Sequence, residues 1–154
     1  MRIATFIVSL LLLVSTSCAA QPETLVTGGY DEKEMNQAIA KAKETVDKFI
    51  KVLKSGKGEN FAVKAPIRDG EQVEHFWITN ISYKDGKFIG QINNEPGMVK
   101  NVTLGQKWTI SKKEISDWMY MRDNKIHGNY TLRPLLKTLP EAEAKKMRAI
   151  LADP

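Results

Sequence analysis

The spacing of apolar residues changes once along this chain, and that change indicates its fold class. Over residues 35–53, apolar side chains recur every three or four positions, which predicts one amphipathic helix. Over 61–132 they recur mostly every second position in short runs, including a strand expected over 99–110. A last apolar stripe over 144–151 predicts a closing helix. This order predicts an α+β fold: a strongly curved antiparallel sheet of five or six strands, barrel-like in its extreme form, between an N-terminal amphipathic helix and a C-terminal helix.

The ends of both helices are marked by residues that satisfy free backbone groups. Asp31, followed three residues later by Glu34, is an acidic form of the capping box, and Gly56 suits the left-handed position after a helix. Thr138 and Glu141 have the same spacing, so we expect them to cap the last helix.

Turn-forming residues divide the β region. Asp85-Gly86 predicts a two-residue hairpin turn, because both positions require a positive φ. Gly128-Asn129 permits the same backbone conformation at a later bend. Pro66 lacks an N–H group, which predicts that the first strand lies at an edge of the sheet.

The amino terminus has the order of a secretory signal peptide. A positive Met1-Arg2 is followed by an apolar run over 3–14, which is too short to span a bilayer as a helix, and then by small residues to position 20. We therefore expect a signal peptide at 1–20, a leader segment at 21–30 and a single α+β domain at 31–154.

Cys18 leaves two modes of processing open. Signal peptidase would cut after Ala19 or Ala20, and the mature protein would be periplasmic. In the alternative, Cys18 becomes the first residue and carries a lipid that anchors the protein to the envelope. Ser17 suits that alternative, whereas Ser15 departs from the large apolar residue usual at that place.

Charge and cysteine content exclude several kinds of site. The formal charge of +5 falls to +4 once Arg2 is removed, and the lysines alternate with acidic residues, which argues against a nucleic-acid partner. Cys18 is the only cysteine, so a mature domain without it has no disulfide and no thiolate metal site. No histidine spacing typical of a metal site occurs, and we expect neither a metal nor a cofactor.

Four polar residues are the candidates for a catalytic cluster: Glu74, His75, Asp117 and His127. They would matter only if a cleft brought them together, because no nucleophile motif is present and adjacent strand residues face opposite ways. Local hydrogen bonds within the sheet are the simpler interpretation. A small hydrolase acting on cell-wall material is the alternative function that this cluster would support.

Aromatic residues are concentrated in the β region. The candidate ligand or partner surface comprises Trp77, Asp117, Trp118, Tyr120 and Tyr130. Large rings usually fill a core. However, Trp118 and Tyr120 alternate with two methionines, so one of these two sets could face the solvent. An exposed aromatic face would suit stacking on cell-wall sugars or docking of a protein.

Four sequence blocks carry a family resemblance: FAVK from Phe61, EHFW from Glu74, DWMY from Asp117 and GNYT from Gly128. In this order they resemble the YegJ-like family of bacterial domains of unknown function, from about Asp31 to the last helix. The resemblance implies a bacterial, periplasmic protein and supplies no catalytic residues. A looser resemblance to domains found among immunity proteins suggests toxin neutralisation as a further alternative.

The leading functional hypothesis from the sequence is a non-enzymatic binding domain of the cell envelope. Its partner would be an envelope protein or cell-wall glycan. The aromatic-rich β region without convergent catalytic motifs favours this hypothesis over the hydrolase.

Overall fold

The computed structural model describes residues 29–154. The predictions for the signal peptide, for most of the leader segment and for Cys18 therefore lie outside the described residues. The elements in chain order are α1 (Glu32–Ser55), β1 (Glu59–Asp69), β2 (Gln72–Lys84), β3 (Lys87–Ile92), β4 (Lys107–Ser111), β5 (Asp117–Arg122), β6 (Lys125–Gly128), α2 (Leu132–Leu135), a 3₁₀ turn (Leu136–Thr138) and α3 (Glu141–Ile150).

Helix α1 begins and ends where its capping residues predict. The Glu34 amide donates to Asp31 Oδ1 at 3.0 Å, and Gly56 has a φ of 66° and donates its N–H to the Leu53 carbonyl. The buried residues of its stripe are Ala42, Thr45, Val46, Phe49 and Ile50. The second half of the helix therefore provides most of its contact with the sheet.

The sheet is six-stranded and antiparallel, with the strand order β4-β3-β2-β1-β5-β6. The α+β class and the flanking helices are confirmed. The sheet is open, with β4 and β6 at its two ends, so closure into a barrel is not confirmed. None of the helices within 29–154 is long and apolar enough to cross a membrane.

Strand β1 lies inside the sheet, so the edge position predicted from Pro66 was wrong for the strand as a whole. The pairing of β1 with β5 ends at Lys64 and Asp117, two residues before Pro66. On its other side Pro66 pairs with His75 of β2. The missing N–H therefore interrupts no pair with β5, which explains why an internal strand tolerates this proline.

A bulge in β2 changes which side chains face α1. Asn80 has a φ of 50°, and the register with β3 shifts between Thr79 and Ser82. Strict alternation would place Ile78 and Ile81 on opposite faces. Beyond the bulge, Ile81 instead packs on the same cluster as Ile78.

Helix α1 and the segment 93–106 together cover one face of the sheet. Helix α1 packs on the part that includes Val63 and Ile78, whereas Val99 and Val102, from the segment 93–106, pack on Phe76. The strand predicted over 99–110 is thus wrong in its first half, because only Lys107–Ser111 pairs as β4. The preceding residues wrap over the sheet.

The carboxyl-terminal elements pack beside β6. Leu136, Ala144 and Leu151 form a third apolar cluster, and Leu151 makes a parallel bridge to Ile126. The predicted cap of α3 was wrong: Pro140 precedes the helix and makes no side-chain capping bond. The Thr138 hydroxyl instead donates to the Leu135 carbonyl at 2.8 Å and closes the preceding turn.

Candidate functional site

The blocks DWMY and GNYT meet at the buried carboxylate of Asp117. Its Oδ1 accepts hydrogen bonds from the amides of Trp118 at 2.8 Å and Tyr130 at 3.1 Å. Its Oδ2 accepts from the Thr131 amide at 2.8 Å and the Thr131 hydroxyl at 2.7 Å. Burial raises the pKa of Asp117 above its ordinary value, and these hydrogen bonds oppose the shift. Asp117 therefore braces the chain that follows β6.

Gly128 lets that chain lie flat against Trp118. Its φ is +78°, and a Cβ atom there would lie 2.2 Å from the Trp118 carbonyl oxygen and 2.5 Å from the indole ring. Asn129 also has a positive φ and donates its N–H to the Trp118 carbonyl at 2.8 Å. The positive φ expected at both positions is confirmed, and the contact itself requires glycine.

Trp118 joins the braced turn to α1. Its Nε1 donates to the Ala42 carbonyl at 3.0 Å and lies 3.3 Å from Thr45 Oγ1. Its ring stacks on Phe49 with the centroids 5.1 Å apart, and Tyr130 meets it edge-on at 5.5 Å. These contacts hold the rings of Trp118, Phe49 and Tyr130 in one arrangement.

A cleft of about 240 Å³ opens between α1, the β5–β6 hairpin and the end of the chain. Its lining comprises Lys41, Thr45, Lys48, Phe49, Val52, Trp118, Tyr120, His127, Gly128, Tyr130, Asp153 and Pro154. We call this space the aromatic cleft. It is the candidate functional site because it joins rings, cations and an imidazole.

His127 contributes an uncharged imidazole to the aromatic cleft. The ring stacks on Tyr120 with the centroids 4.8 Å apart and the planes within 3° of parallel. Burial, and secondarily the positive charge of Arg122, lower the pKa of His127. At neutral pH the ring therefore offers one N–H donor and one nitrogen acceptor.

The charged side chains that line the aromatic cleft are mainly basic. Lys41 and Lys48 are two helical turns apart, so both lie along one side of α1. Lys41 also pairs with exposed Glu44 at 3.1 Å. Asp153 is the acidic residue of the lining. Lys48 is therefore the lysine of the lining that makes no ion pair among residues 29–154.

The structure divides the five residues of the predicted ligand surface between two faces of the sheet. Trp118, Tyr120 and Tyr130 line the aromatic cleft. Both Asp117 and Trp77 pair with Lys64 of β1, which places them together on the opposite face.

The aromatic face of β5 is covered and contributes to the core. Trp118 and Tyr120 are only 5% and 6% exposed beneath α1, whereas the alternating Met119 and Met121 are half-buried. Most of each ring therefore fills the core, and only part of it reaches the aromatic cleft.

The four candidate catalytic residues do not converge. Glu74 and His127 lie on the face that α1 and segment 93–106 cover, and His75 and Asp117 lie on the other. His75 Nδ1 is 2.8 Å from the hydroxyl of Ser116, which lies just before β5.

Glu74 is engaged with the backbone of the segment 93–106. Its carboxylate accepts from the amides of Gly97 and Met98 at 2.8–3.0 Å, and more distantly from Val99 at 3.3 Å. This buried carboxylate holds the segment on the sheet, just as Asp117 holds the turn after β6. Glu74, the first residue of the EHFW block, therefore has a structural role.

Several cleft residues were missed as site candidates by the sequence analysis. Phe49 was assigned to the helix stripe, and Lys48 is one of many lysines on α1. The signal available in the sequence was Gly128 beside His127, because a glycine at the end of a strand can mark the close approach of another part of the chain. Among the described residues no group of three metal-ligating side chains occurs.

Comparison with known proteins gives a family. Residues 32–151 match the family described as "Uncharacterized protein conserved in bacteria (DUF2314)". The chain is 48% identical over 151 residues to the uncharacterized protein YegJ of Escherichia coli (strain K12), covering 98% of this chain and 99% of that protein.

A second relative is a putative ankyrin repeat protein of Neisseria meningitidis serogroup B. It is 33% identical over 123 residues, which cover 73% of this chain and 48% of that protein. No solved structure gives a significant match. The family match and the similarity to YegJ confirm the resemblance drawn from the four sequence blocks. The chain therefore belongs to the DUF2314 family of bacterial proteins.

Proposed function

We propose that this protein is a non-enzymatic binding domain that holds part of its partner in the aromatic cleft. The observation that supports this most directly is the lining of the cleft, where four aromatic side chains and an uncharged imidazole adjoin two lysines. Concave sites with apolar walls and a few polar groups are where proteins usually bind small molecules or single side chains.

The use of the two carboxylates supports binding over hydrolysis. Glu74 and Asp117 accept hydrogen bonds from backbone amides and lie on opposite faces of the sheet. An acid–base pair has to share one cleft with the substrate. The hydrolase hypothesis lacks that convergence among the residues described, so we do not advance it.

We further propose that the protein acts in the bacterial envelope, on cell-wall glycan or a protein partner. This part rests on the sequence of residues 1–20, in which a positive start, an apolar run and small residues follow one another. Fragments of cell-wall glycan are the probe we choose first, because aromatic walls suit sugar rings.

The test is a titration of ¹⁵N-labelled protein with soluble fragments from a peptidoglycan digest. We expect amide shifts confined to residues that line the aromatic cleft. The Val52→Phe variant, which places a larger side chain at the half-buried Val52 in the lining, should remove them. Lys43→Phe adds the same ring at an exposed position of α1 outside the lining and should preserve them.

Mass spectrometry of the fragments after incubation separates binding from catalysis. Unchanged fragments agree with a non-enzymatic domain, whereas cleaved fragments would contradict it. If no amide of the aromatic cleft shifts, glycan fragments are rejected as the partner class. If the wild type and the Val52→Phe variant shift equally, the aromatic cleft is rejected as the binding site.

A further inference from the structure

We infer that the side of strands β2, β3 and β4 that faces away from α1 is a docking surface for a bilayer with anionic headgroups. The inference goes beyond the proposed binding function, because it concerns the side of the sheet opposite to the aromatic cleft. It rests on strand register, on exposure and on the charges that this side carries.

Strand register defines the members of this surface. Phe88 and Ile110 pair with each other and are buried in the apolar cluster under α1. The residues that alternate with them in β3 and β4 point to the other side of the sheet, and so do their partners in β2. We call this set the lysine face, and its members are Thr79, Ser82, Lys84, Lys87, Ile89, Gln91, Lys107, Thr109 and Ser111.

The lysine face is open to solvent. Six of its nine side chains are exposed, and the other three are half-buried. None of the nine belongs to an apolar cluster of the described residues. The side chains of this face are therefore available to a partner.

The charged side chains of the lysine face are all basic. Lys84, Lys87 and Lys107 are exposed and make no ion pair within residues 29–154. Lys84 and Lys87 lie directly opposite each other across β2 and β3, an arrangement in which like charges repel. An anionic surface in contact with both ammonium groups would offset that repulsion.

The positive charge remains when the adjoining turns are counted. The residues 80–92 and 107–116 together carry five lysines and two acidic residues, Asp85 and Glu114. Of the five lysines, Lys112 is paired with an aspartate of α1. Beside the start of β1, the charges of Lys57 and Glu59 cancel. A surplus of about two positive charges is therefore left at this end of the sheet.

The composition of the lysine face favours lipid headgroups over a nucleic acid or a protein. It contains no aromatic ring on which a base could stack and no arginine for a bidentate phosphate contact. Protein interfaces are depleted in lysine, and the apolar side chain of this face, Ile89, is half-buried. Lysines near a bilayer, by contrast, are attracted by anionic headgroups without a shaped pocket.

Docking by the lysine face would leave the aromatic cleft open. The cleft lies between α1 and the β5–β6 hairpin, on the side of the sheet where α1 packs. The lysine face lies on the other side, at the β4 end of the strand order. A domain held at a bilayer in this way could still bind a partner in the cleft, so either proposal can fail without the other.

The test is partition of the protein, purified as the bacterium processes it, onto vesicles of phosphatidylglycerol and of phosphatidylcholine. At about 0.05 M salt we expect the partition coefficient to be at least about tenfold higher for the anionic vesicles. The difference should shrink at about 0.5 M salt, because the Debye length falls.

Charge-matched variants locate the contact. The first removes the three lysines of the face, as Lys84→Gln, Lys87→Gln and Lys107→Gln. It should lower the anionic partition coefficient about tenfold or more, since each lysine at a bilayer contributes roughly fivefold. The control removes the same charge from exposed positions of α1 and α3, as Lys43→Gln, Lys145→Gln and Lys146→Gln, and should stay within about threefold of the wild type. Circular dichroism checks that both variants are folded.

Each outcome bears on the inference. Loss of anionic partition in the first variant together with its retention in the control supports the lysine face as the docking surface. Equal partition of the wild type onto both kinds of vesicle would overturn it. Equal loss in the two variants would also overturn it, because general attraction of a basic protein would then explain the binding. Tighter binding of a short DNA duplex than of anionic vesicles, lost in the first variant, would assign the face to nucleic acid instead.

Discussion

Two buried carboxylates, Glu74 and Asp117, organise the backbone of this protein at the scale of single residues. Each accepts several hydrogen bonds from main-chain amides of a segment without regular hydrogen bonding of its own. Such charge-assisted bonds are stronger than those between neutral groups, and losing the acceptor leaves buried donors unsatisfied. Residues that resemble catalytic acids in the sequence are thus structural acceptors.

Replacing Asp117 should test this role. In Asp117→Asn one acceptor oxygen becomes an NH₂ group that faces backbone donors, so we expect the free energy of unfolding to fall by about 2–4 kcal/mol. Asp69→Asn is the control, because the Asp69 carboxylate accepts one amide hydrogen bond, from Lys100, at an exposed site and should cost under about 1 kcal/mol. Urea denaturation measures both. A loss below about 1 kcal/mol for Asp117→Asn would indicate that Asp117 is protonated or its hydrogen bonds are dispensable.

At the scale of elements, the segment 93–106 substitutes for a second helix on the sheet. It carries Val99 and Val102 to the apolar part of the sheet that α1 leaves uncovered. Its anchors include Glu74, the Asp69 carboxylate and the Arg68 carbonyl, which accepts from the Asn101 side chain at 2.7 Å. A segment without regular structure can cover a sheet in this way only if its buried amides find acceptors.

Glu74→Gln should loosen this segment while leaving the rest of the fold in place. The neutral side chain has one acceptor oxygen for amides that share a carboxylate in the wild type. We expect hydrogen exchange of the Gly97 and Met98 amides to accelerate about tenfold or more, whereas the amides of α1 keep their rates. Glu71→Gln, at an exposed position of the same hairpin, should change neither. Unchanged exchange in Glu74→Gln would contradict the anchoring role.

For the whole molecule, the order of the sequence at its amino terminus determines where the domain is expected to act. Residues 1–20 are predicted to direct export, and the domain at 31–154 would then function after their removal. Because Cys18 is the only cysteine, the predicted processing at this residue would also decide whether the mature protein is free or anchored by a lipid.

Intact mass spectrometry of the protein recovered from bacterial envelope fractions tests the processing. We expect a chain that begins after Ala19 or Ala20 and therefore lacks Cys18. Its mass should be lower than the 17.3 kDa of the 154-residue chain. A Cys18→Ser variant should be processed and fractionated in the same way. A full-length mass would contradict export by cleavage. A lipid-sized increment on a chain that begins at Cys18, lost in Cys18→Ser, would establish the anchored alternative.

Local features of this protein could be predicted from the sequence. The start and end of α1, the Asp85-Gly86 turn and the α+β class depend on interactions among residues a few positions apart. Side-chain periodicity reports such short-range preferences directly. The same reasoning misplaced the cap of α3 and predicted a strand longer than β4. At both places the tertiary contacts of the chain outweigh local preference.

The candidate site was decided only by the tertiary structure. A hydrogen bond from Trp118 to Ala42, 76 positions apart, joins the walls of the aromatic cleft. Asp117 holds the turn after β6 by accepting from the amides of Tyr130 and Thr131, 13 and 14 positions away. No periodicity within one element reports such contacts, and the division of Trp77 and Trp118 between two faces depends on strand register. The sequence alone therefore determined the elements and the aromatic content, whereas long-range packing determined which rings form a cleft.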